Sequence, residues 1–308
     1  MRKRIIVATN GSPTSDAALR VAAAIAARQE RRVEVLAVLE PLPVLDAGFA
    51  PTAGPFESYD GRRSDALRTR VRAQVSAVTG SADSWPVEVR VGHPATEIVR
   101  AARERDVVLI VMGIGRHAPA DRIFGSETAL KVSRRSVVPV LAVVPGADRL
   151  PRNAFVGMDF SASSIEAARN AMRFLQAPAT LTLVHVSPDL DIPPIALDEW
   201  QSTYARGVAE AFEKAKNALA APAGITLEMV TLHGDAAEEL LHFGAQSGMD
   251  LIAAGSHGHN FVERLLIGSV ATKLLRSAQC SMLLVPAFTT AEDDEFALKM
   301  HAVPEAVV

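Results

Sequence analysis

Residues 255–269 read GSHGHNFVERLLIGS, with two residues between Gly255 and Gly258 and nine between Gly258 and the closing Gly268-Ser269. An apolar run, Leu251 to Ala254, precedes the segment, and a helical pattern, Val270 to Arg276, follows it. Strand, glycine loop and helix in that order suit a polyphosphate. Glycines let backbone N–H groups approach closely, and the N-terminus of the next helix adds unpaired donors and a favourable dipole. The spacing matches neither the dinucleotide fingerprint GxGxxG nor the Walker pattern ending in Gly-Lys-Ser/Thr. Turn glycines around an ordinary βα connection are the structural alternative.

The rest of the chain contains the same unit twice. The strand from Arg4 into Asn10-Gly11-Ser12 corresponds to Ala154 through Asp159-Phe160-Ser161; VEVLAVLEP (33–41) matches TLTLVHVSP (180–188), and VEVRVGHPATEI (87–98) matches LEMVTLHGDAAEEL (227–240). Residues 107–126 match 250–269, and a last strand recurs at 138–145 and 280–286. Each half therefore reads as strands alternating with helices, with a long loop after the second strand (42–62 and 189–204). That alternation predicts right-handed βαβ crossovers and an α/β fold of two tandem, open, five-stranded, mainly parallel sheets of the Rossmann-like, adenine-nucleotide alpha hydrolase-like kind. Near-continuous apolar runs such as VVLIVMG suit strands covered on both faces. Ser12-Pro13 and the Ser163…Glu166 spacing read as helix starts. The domain boundaries expected are 1–146 and 153–287, with GADRLPR (146–152) as linker and 288–308 as an acidic tail.

The motif G-x2-G-x9-G-S at 255–269, with a copy one residue shorter at 113–126, on a unit that occurs twice, resembles the universal stress protein family, and the resemblance covers nearly everything except linker and tail. It implies ATP lying over the carboxyl ends of the strands, at the switch point of a doubly wound sheet. An acidic residue closing the first strand then works at the adenosine end, backbone at the end of the second strand meets the base, and the glycine motif holds ribose and phosphates. Carried over residue by residue, the second half keeps the set: Met158 and Asp159, Val186, and Gly255, Gly258, Gly268, Ser269 and Val270. Ser269 is open to two compatible roles, a phosphate or metal-water contact and a helix N-cap. The first half departs from the pattern. Its counterparts are Thr9, Asn10, Leu39, Gly113, Gly115, Gly125 and Ser126, with an amide in place of the acid and the first two glycines one residue closer together. Misaligned donors forfeit charge-assisted bonds worth roughly 1.5–3 kcal/mol each, so weaker binding is expected there. The resemblance also implies Mg²⁺ arriving with ATP, pairing of the two halves through their last strands as a pseudo-dimer, a homodimer of such chains, and a protein partner of unstated identity.

Bulk properties narrow the function classes. The 308 residues suit about two domains of ~150 residues each. Net charge is −3 with both signs interspersed, which offers nucleic acid no basic face. The short apolar start after MRKR reads as a strand rather than a signal peptide, and no apolar run approaches the ~20 residues of a membrane span, so a cytoplasmic placement is expected. The single cysteine, Cys280, is expected as a buried structural thiol. His257 and His259 lack metal-site spacing, so no protein-held metal is expected. His93 and His233 read as equivalent turn positions, and Arg264, Lys273, Arg122 and Lys131 as charges near the loops. Without a Walker lysine, a GxSxG elbow or a water-positioning base, no catalytic residue is assigned and fast turnover is not expected. The leading reading is an ATP-binding regulatory or stress-response factor. A slow ATP hydrolase or nucleotidyl-handling enzyme, and a nucleotide-free protein-binding scaffold, remain alternatives.

Overall fold

The computed structural model describes residues 3–41, 54–115, 125–187, 194–255 and 268–286, with side chains from residue 60 in the segment starting at 54 and from residue 201 in that starting at 194. The chain divides into two compact units, Met1–Leu150 and Pro151–Val308, with the division inside the turn-rich linker.

The first unit runs β1 (Arg4–Thr9), a short 3-10 turn (Pro13–Ser15), α1 (Asp16–Gln29), β2 (Arg32–Leu39), α2 (Gly54–Thr79), β3 (Val87–Val91), α3 (Pro94–Glu104), β4 (Val107–Gly113), α4 (Ser126–Arg135) and β5 (Val140–Val143). Its strands lie in the order β3-β2-β1-β4-β5, every pair parallel. The second unit runs β6 (Asn153–Gly157), α5 (Ala162–Phe174), β7 (Ala179–Ser187), α6 (Pro194–Leu219), β8 (Ile225–His233), α7 (Ala236–Gln246), β9 (Leu251–Gly255), α8 (Ser269–Ser277) and β10 (Ser281–Val285). Its order, β8-β7-β6-β9-β10, repeats the first, again all parallel. The predicted α/β class and parallel sheets are what the structure has.

Central strands are largely buried, β1 and β4 at all but one residue each, as sheets covered on both faces require. Ile5, Ile6, Leu36, Leu109 and Ile110 are fully buried in one unit, and Phe155, Leu181, Leu183 and Leu283 in the other. Phe155 meets Phe243 edge-on at 5.5 Å between ring centroids. The chain turns one way from β1 through β2 to β3, then reverses to β4 and β5. The reversal leaves a crevice above the carboxyl ends of β1 and β4, and of β6 and β9, which is where doubly wound sheets bind ligands.

Three expectations need correction. The long loops after the second strands are shorter than their composition suggests: residues 54–62 and 194–204 are already helix. Pro55 and Pro194 stand in the first helical turn, where a missing N–H costs nothing. The first strands end at Thr9 and Gly157, so Asp159 lies two residues beyond its strand rather than closing it. Cys280 is half-buried, not enclosed in a core. The tail from 288 lies outside the described residues. Among the described residues no helix is long and apolar enough to cross a membrane.

Candidate functional site

Both units begin their crevice with the same turn. In the second, Asp159 Oδ1 accepts from the Ser161 amide at 3.1 Å and from the Ser161 hydroxyl at 2.6 Å. In the first, Asn10 Oδ1 accepts from the Ser12 amide at 2.9 Å and the Ser12 hydroxyl at 2.6 Å. These are matching Asx turns, so Asn10 preserves the backbone geometry that Asp159 sets. It does not preserve the chemistry: the second oxygen of a carboxylate accepts, whereas the amide nitrogen in its place donates. The residue between acid or amide and serine has φ +73° at Gly11 and +62° at Phe160. A left-handed aromatic residue is uncommon and stores strain of about 1 kcal/mol or more.

The helix starts differ from the sequence reading. Ser161, not Ser163, caps α5, its hydroxyl accepting from Ser164 N at 3.2 Å. Glu166 lies inside the helix and bonds Arg169 and Asn170 instead of closing a capping box. Ser12 precedes the 3-10 turn, and its hydroxyl serves Asn10 rather than the helix.

At the second strand, Val184 O accepts from Met158 N, and Ser187 O accepts from Gly234 N. Backbone groups of alternate residues in a parallel strand point to the same neighbour. Val186 therefore directs its N–H and C=O toward the side where β6 has already ended, into the crevice. By the same register Leu39, whose carbonyl accepts from Gly92 N, matches Ser187, and Val38 matches Val186. Leu39 is thus one residue too late for the role expected of it, because the period-two pattern alone does not say which neighbour a residue faces.

Of the glycine motifs, the described ends are Gly255 and Gly268 in the second unit and Gly113, Gly115 and Gly125 in the first. Gly255 ends β9 against α5; a Cβ there would overlap the Ser163 hydroxyl, itself buried with no hydrogen-bond partner among the described residues. Gly113 ends β4 in the same way, and its Cβ would stand 2.8 Å from Thr14 O and 2.9 Å from Ser15 Cα. These first glycines are thus demanded by packing. Gly268 and Gly125 are N-caps of α8 and α4, so Ser269 and Ser126 are the first helical residues and not caps. Neither cap supplies a side-chain acceptor, which leaves first-turn N–H groups to other partners. Val270 is half-buried in the first turn of α8, and its counterpart in α4 is the acidic Glu127. Gly115 follows Ile114, whose amide still bonds Val143 O at 2.9 Å. Gly258, His257, His259, Arg264 and Arg122 lie outside the described residues.

Other expected charges go elsewhere. Lys273 pairs with Asp235 at 3.5 Å and Glu238 at 3.8 Å. Asp235 caps α7, and the Glu238 amide, with Lys273, holds its carboxyl below the usual range. His93 and His233 are not equivalent. His233 ends β8 before Gly234 and bonds the Ser187 hydroxyl at 2.5 Å, whereas His93 follows Gly92 and precedes α3.

Sequence reasoning missed an aromatic group below the Asp159 turn. The His185 ring lies 4.9 Å from Phe160, and Phe160 packs edge-on against Phe212 at 5.0 Å. His185 Nδ1 bonds Met158 O at 2.7 Å and Nε2 bonds the Tyr204 hydroxyl at 2.8 Å. Burial raises the Tyr204 phenol above its usual range, which keeps that hydroxyl protonated. Alignment of Phe160 with Gly11 was the available signal; setting 33–41 against 180–188 pairs His185 with Val38, and only the strand register matches it to Ala37.

The profile of the Universal stress protein family matches residues 1–144 and again 151–286. Universal stress protein MJ0531 of Methanocaldococcus jannaschii is 29% identical over 149 residues, covering 47% of this chain and 87% of that protein. A universal stress protein of Mycolicibacterium smegmatis is 23% identical over 291 residues, covering 91% of this chain and 96% of its own length. The crystal structure of a universal stress protein from Archaeoglobus fulgidus has the same fold, with TM-score 0.60 at 19% identity over 92% of this chain and 97% of that one.

Proposed function

This chain belongs to the universal stress protein family, and on that premise we propose that its second unit binds an adenine nucleotide, ATP with Mg²⁺, as a cytoplasmic regulatory factor. The supporting observation is a convergence at the switch point. Packing of Gly255 on Ser163 sets the end of β9 against the first turn of α5, which follows directly on the Asp159 turn; the backbone of Val186 faces the same crevice, and α8 starts at Gly268 without a side-chain cap. In this reading Met158, Asp159 and Val186 hold adenosine, the carboxylate accepting from ribose hydroxyls. Gly258, Gly268, Ser269 and Val270 offer backbone donors to phosphate, and Gly255 lets the two loops meet. A magnesium ion is held chiefly through the phosphates.

The first unit is the weaker site. Thr9, Asn10, Gly113, Gly115, Gly125 and Ser126 keep the turn and the helix start, but Asn10 replaces a carboxylate acceptor and Glu127 adds an acidic residue to the first turn of α4, a like charge to phosphate. The bound nucleotide becomes part of the surface that a protein partner reads. Titration calorimetry with ATP and Mg²⁺ tests the proposal: binding is expected, and Gly258→Val with Gly268→Val is expected to abolish it. No heat from the unsubstituted chain, or unchanged heat from the double variant, contradicts it.

A further inference from the structure

His185 occupies a singular position in the second unit. It precedes Val186 directly, and its ring meets the two residues that flank Asp159. The Met158 carbonyl can only accept, so the 2.7 Å contact requires a proton on Nδ1. In the neutral ring Nε2 then accepts from Tyr204 at 2.8 Å. On the far side of Asp159, the Phe160 ring lies against the imidazole and is braced by Phe212. One side chain of β7 thus grips the backbone before Asp159 and the aromatic ring after it, while α6 holds that side chain and that ring in turn. The grip explains how Phe160 persists at φ +62°, since a strained residue survives only where its surroundings over-determine it. In the first unit Ala37 stands at the matching position and has no group that could reach across.

We infer that His185 is a positioning residue for nucleotide recognition, fixing the Asp159 carboxylate relative to the Val186 backbone through Met158 and Phe160. This rests on the nucleotide reading of the second unit. Its consequence concerns which part of the ligand is affected. A residue that sets the adenosine end acts equally on adenosine, AMP and ATP, whereas the glycine cap of α8 acts only on ligands that carry phosphate.

The test measures affinities of the full chain for adenosine, AMP and MgATP. His185→Phe keeps a ring against Phe160 and removes the donor to Met158; it is expected to weaken all three ligands by a similar factor, about tenfold. His185→Asn keeps an N–H near the Nδ1 position and is expected to restore affinity to within about threefold, whereas His185→Gln, whose amide extends toward Tyr204, is not. Amide exchange at Ser161, whose N–H is bonded by Asp159, is expected to accelerate in His185→Phe and return toward normal in His185→Asn. Should His185→Phe fail to fold, the Asn and Gln variants carry the same comparison. Unchanged affinity and exchange in His185→Phe, equal losses in Asn and Gln, or a loss confined to MgATP overturns the inference while leaving the nucleotide site standing. Absence of binding of any of the three ligands to the unsubstituted chain overturns both.

Discussion

In the first unit the turn after β1 is tied down by α2. Thr9 donates to Gln74 at 2.8 Å, and Gln74 donates to Ser12 O at 2.9 Å and to Asp16 at 2.5 Å. In the second, the equivalent turn after β6 is held from beneath by His185, Tyr204 and Phe212, acting on Met158 and Phe160. The two backbones match, down to the left-handed residue. What differs is which groups the helix engages: a polar staple takes the turn's own hydroxyl and carbonyl in one unit, and an aromatic clamp takes the neighbours of the acid in the other. A repeated fold can therefore hold the same backbone turn through different side chains in its two copies.

The largest effects are expected at the glycines that packing demands. Gly113→Ala must displace the backbone at Thr14 and Ser15, and Gly255→Ala must displace a serine side chain. We expect a loss of about 1–3 kcal/mol each, with Gly113→Ala the costlier because backbone yields less readily. At Gly268 an added methyl would meet no described atom within 4 Å, and φ is an ordinary −54°. Gly268→Ala should therefore change stability by under about 0.5 kcal/mol. Urea unfolding of the three variants separates structural from ligand-facing glycines. Equal destabilisation at all three positions would erase the distinction.

Asp159→Asn copies the first unit's amide into the second. The Asx turn survives, so stability stays within about 0.5 kcal/mol, and nucleotide affinity falls about tenfold. An unchanged affinity would mean that the asymmetry lies elsewhere. The converse substitution, Glu127→Val, removes a first-turn carboxylate from α4. In a chain whose second site is disabled by Gly258→Val and Gly268→Val, it should raise the first unit's ATP affinity a few-fold, in line with helix-dipole effects of about 0.3–1 kcal/mol. No gain would leave the shortened loop as the main defect.

The smallest effect is expected from acid. Burial pushes the Glu88 carboxyl up, but Arg105 and Arg90 outweigh it and hold it below its ordinary 4.5; Arg90 holds Glu104 down likewise. A carboxyl lowered in the folded state stabilises above its unfolded value, and that contribution is lost as pH falls through the lower folded one. At the positions of Glu88 and Arg90 the second unit has Val230 and Leu232. Hydrogen-exchange protection of β2 and β3 should therefore decline more than that of β7 and β8 between about pH 5 and pH 3.

Sequence carried the architecture well, because burial on both faces of a parallel sheet forces apolar runs such as VVLIVMG, and the repeat supplied an internal check. It carried the site unevenly. Asp159, Gly255 and Gly268 were legible as types at a spacing. The N-cap at Ser161 was not, since Ser163 and Glu166 have the same local pattern and only the Asx turn decides which serine caps. The Leu39 displacement reflects a facing that depends on where the neighbouring strand ends. The grouping of Phe160, His185 and Tyr204 was not legible because its contacts join residues far apart in sequence; only the pairing of Phe160 with Gly11 hinted at the positive φ.

The second unit is the proposed principal nucleotide site of the chain, and the first the weaker one. Titration calorimetry of the full chain with ATP and Mg²⁺ is expected to give one principal site, removed by Gly258→Val with Gly268→Val and left intact by Glu127→Val. Two equal sites, binding of undiminished affinity after the double glycine substitution, or no binding at all would contradict it.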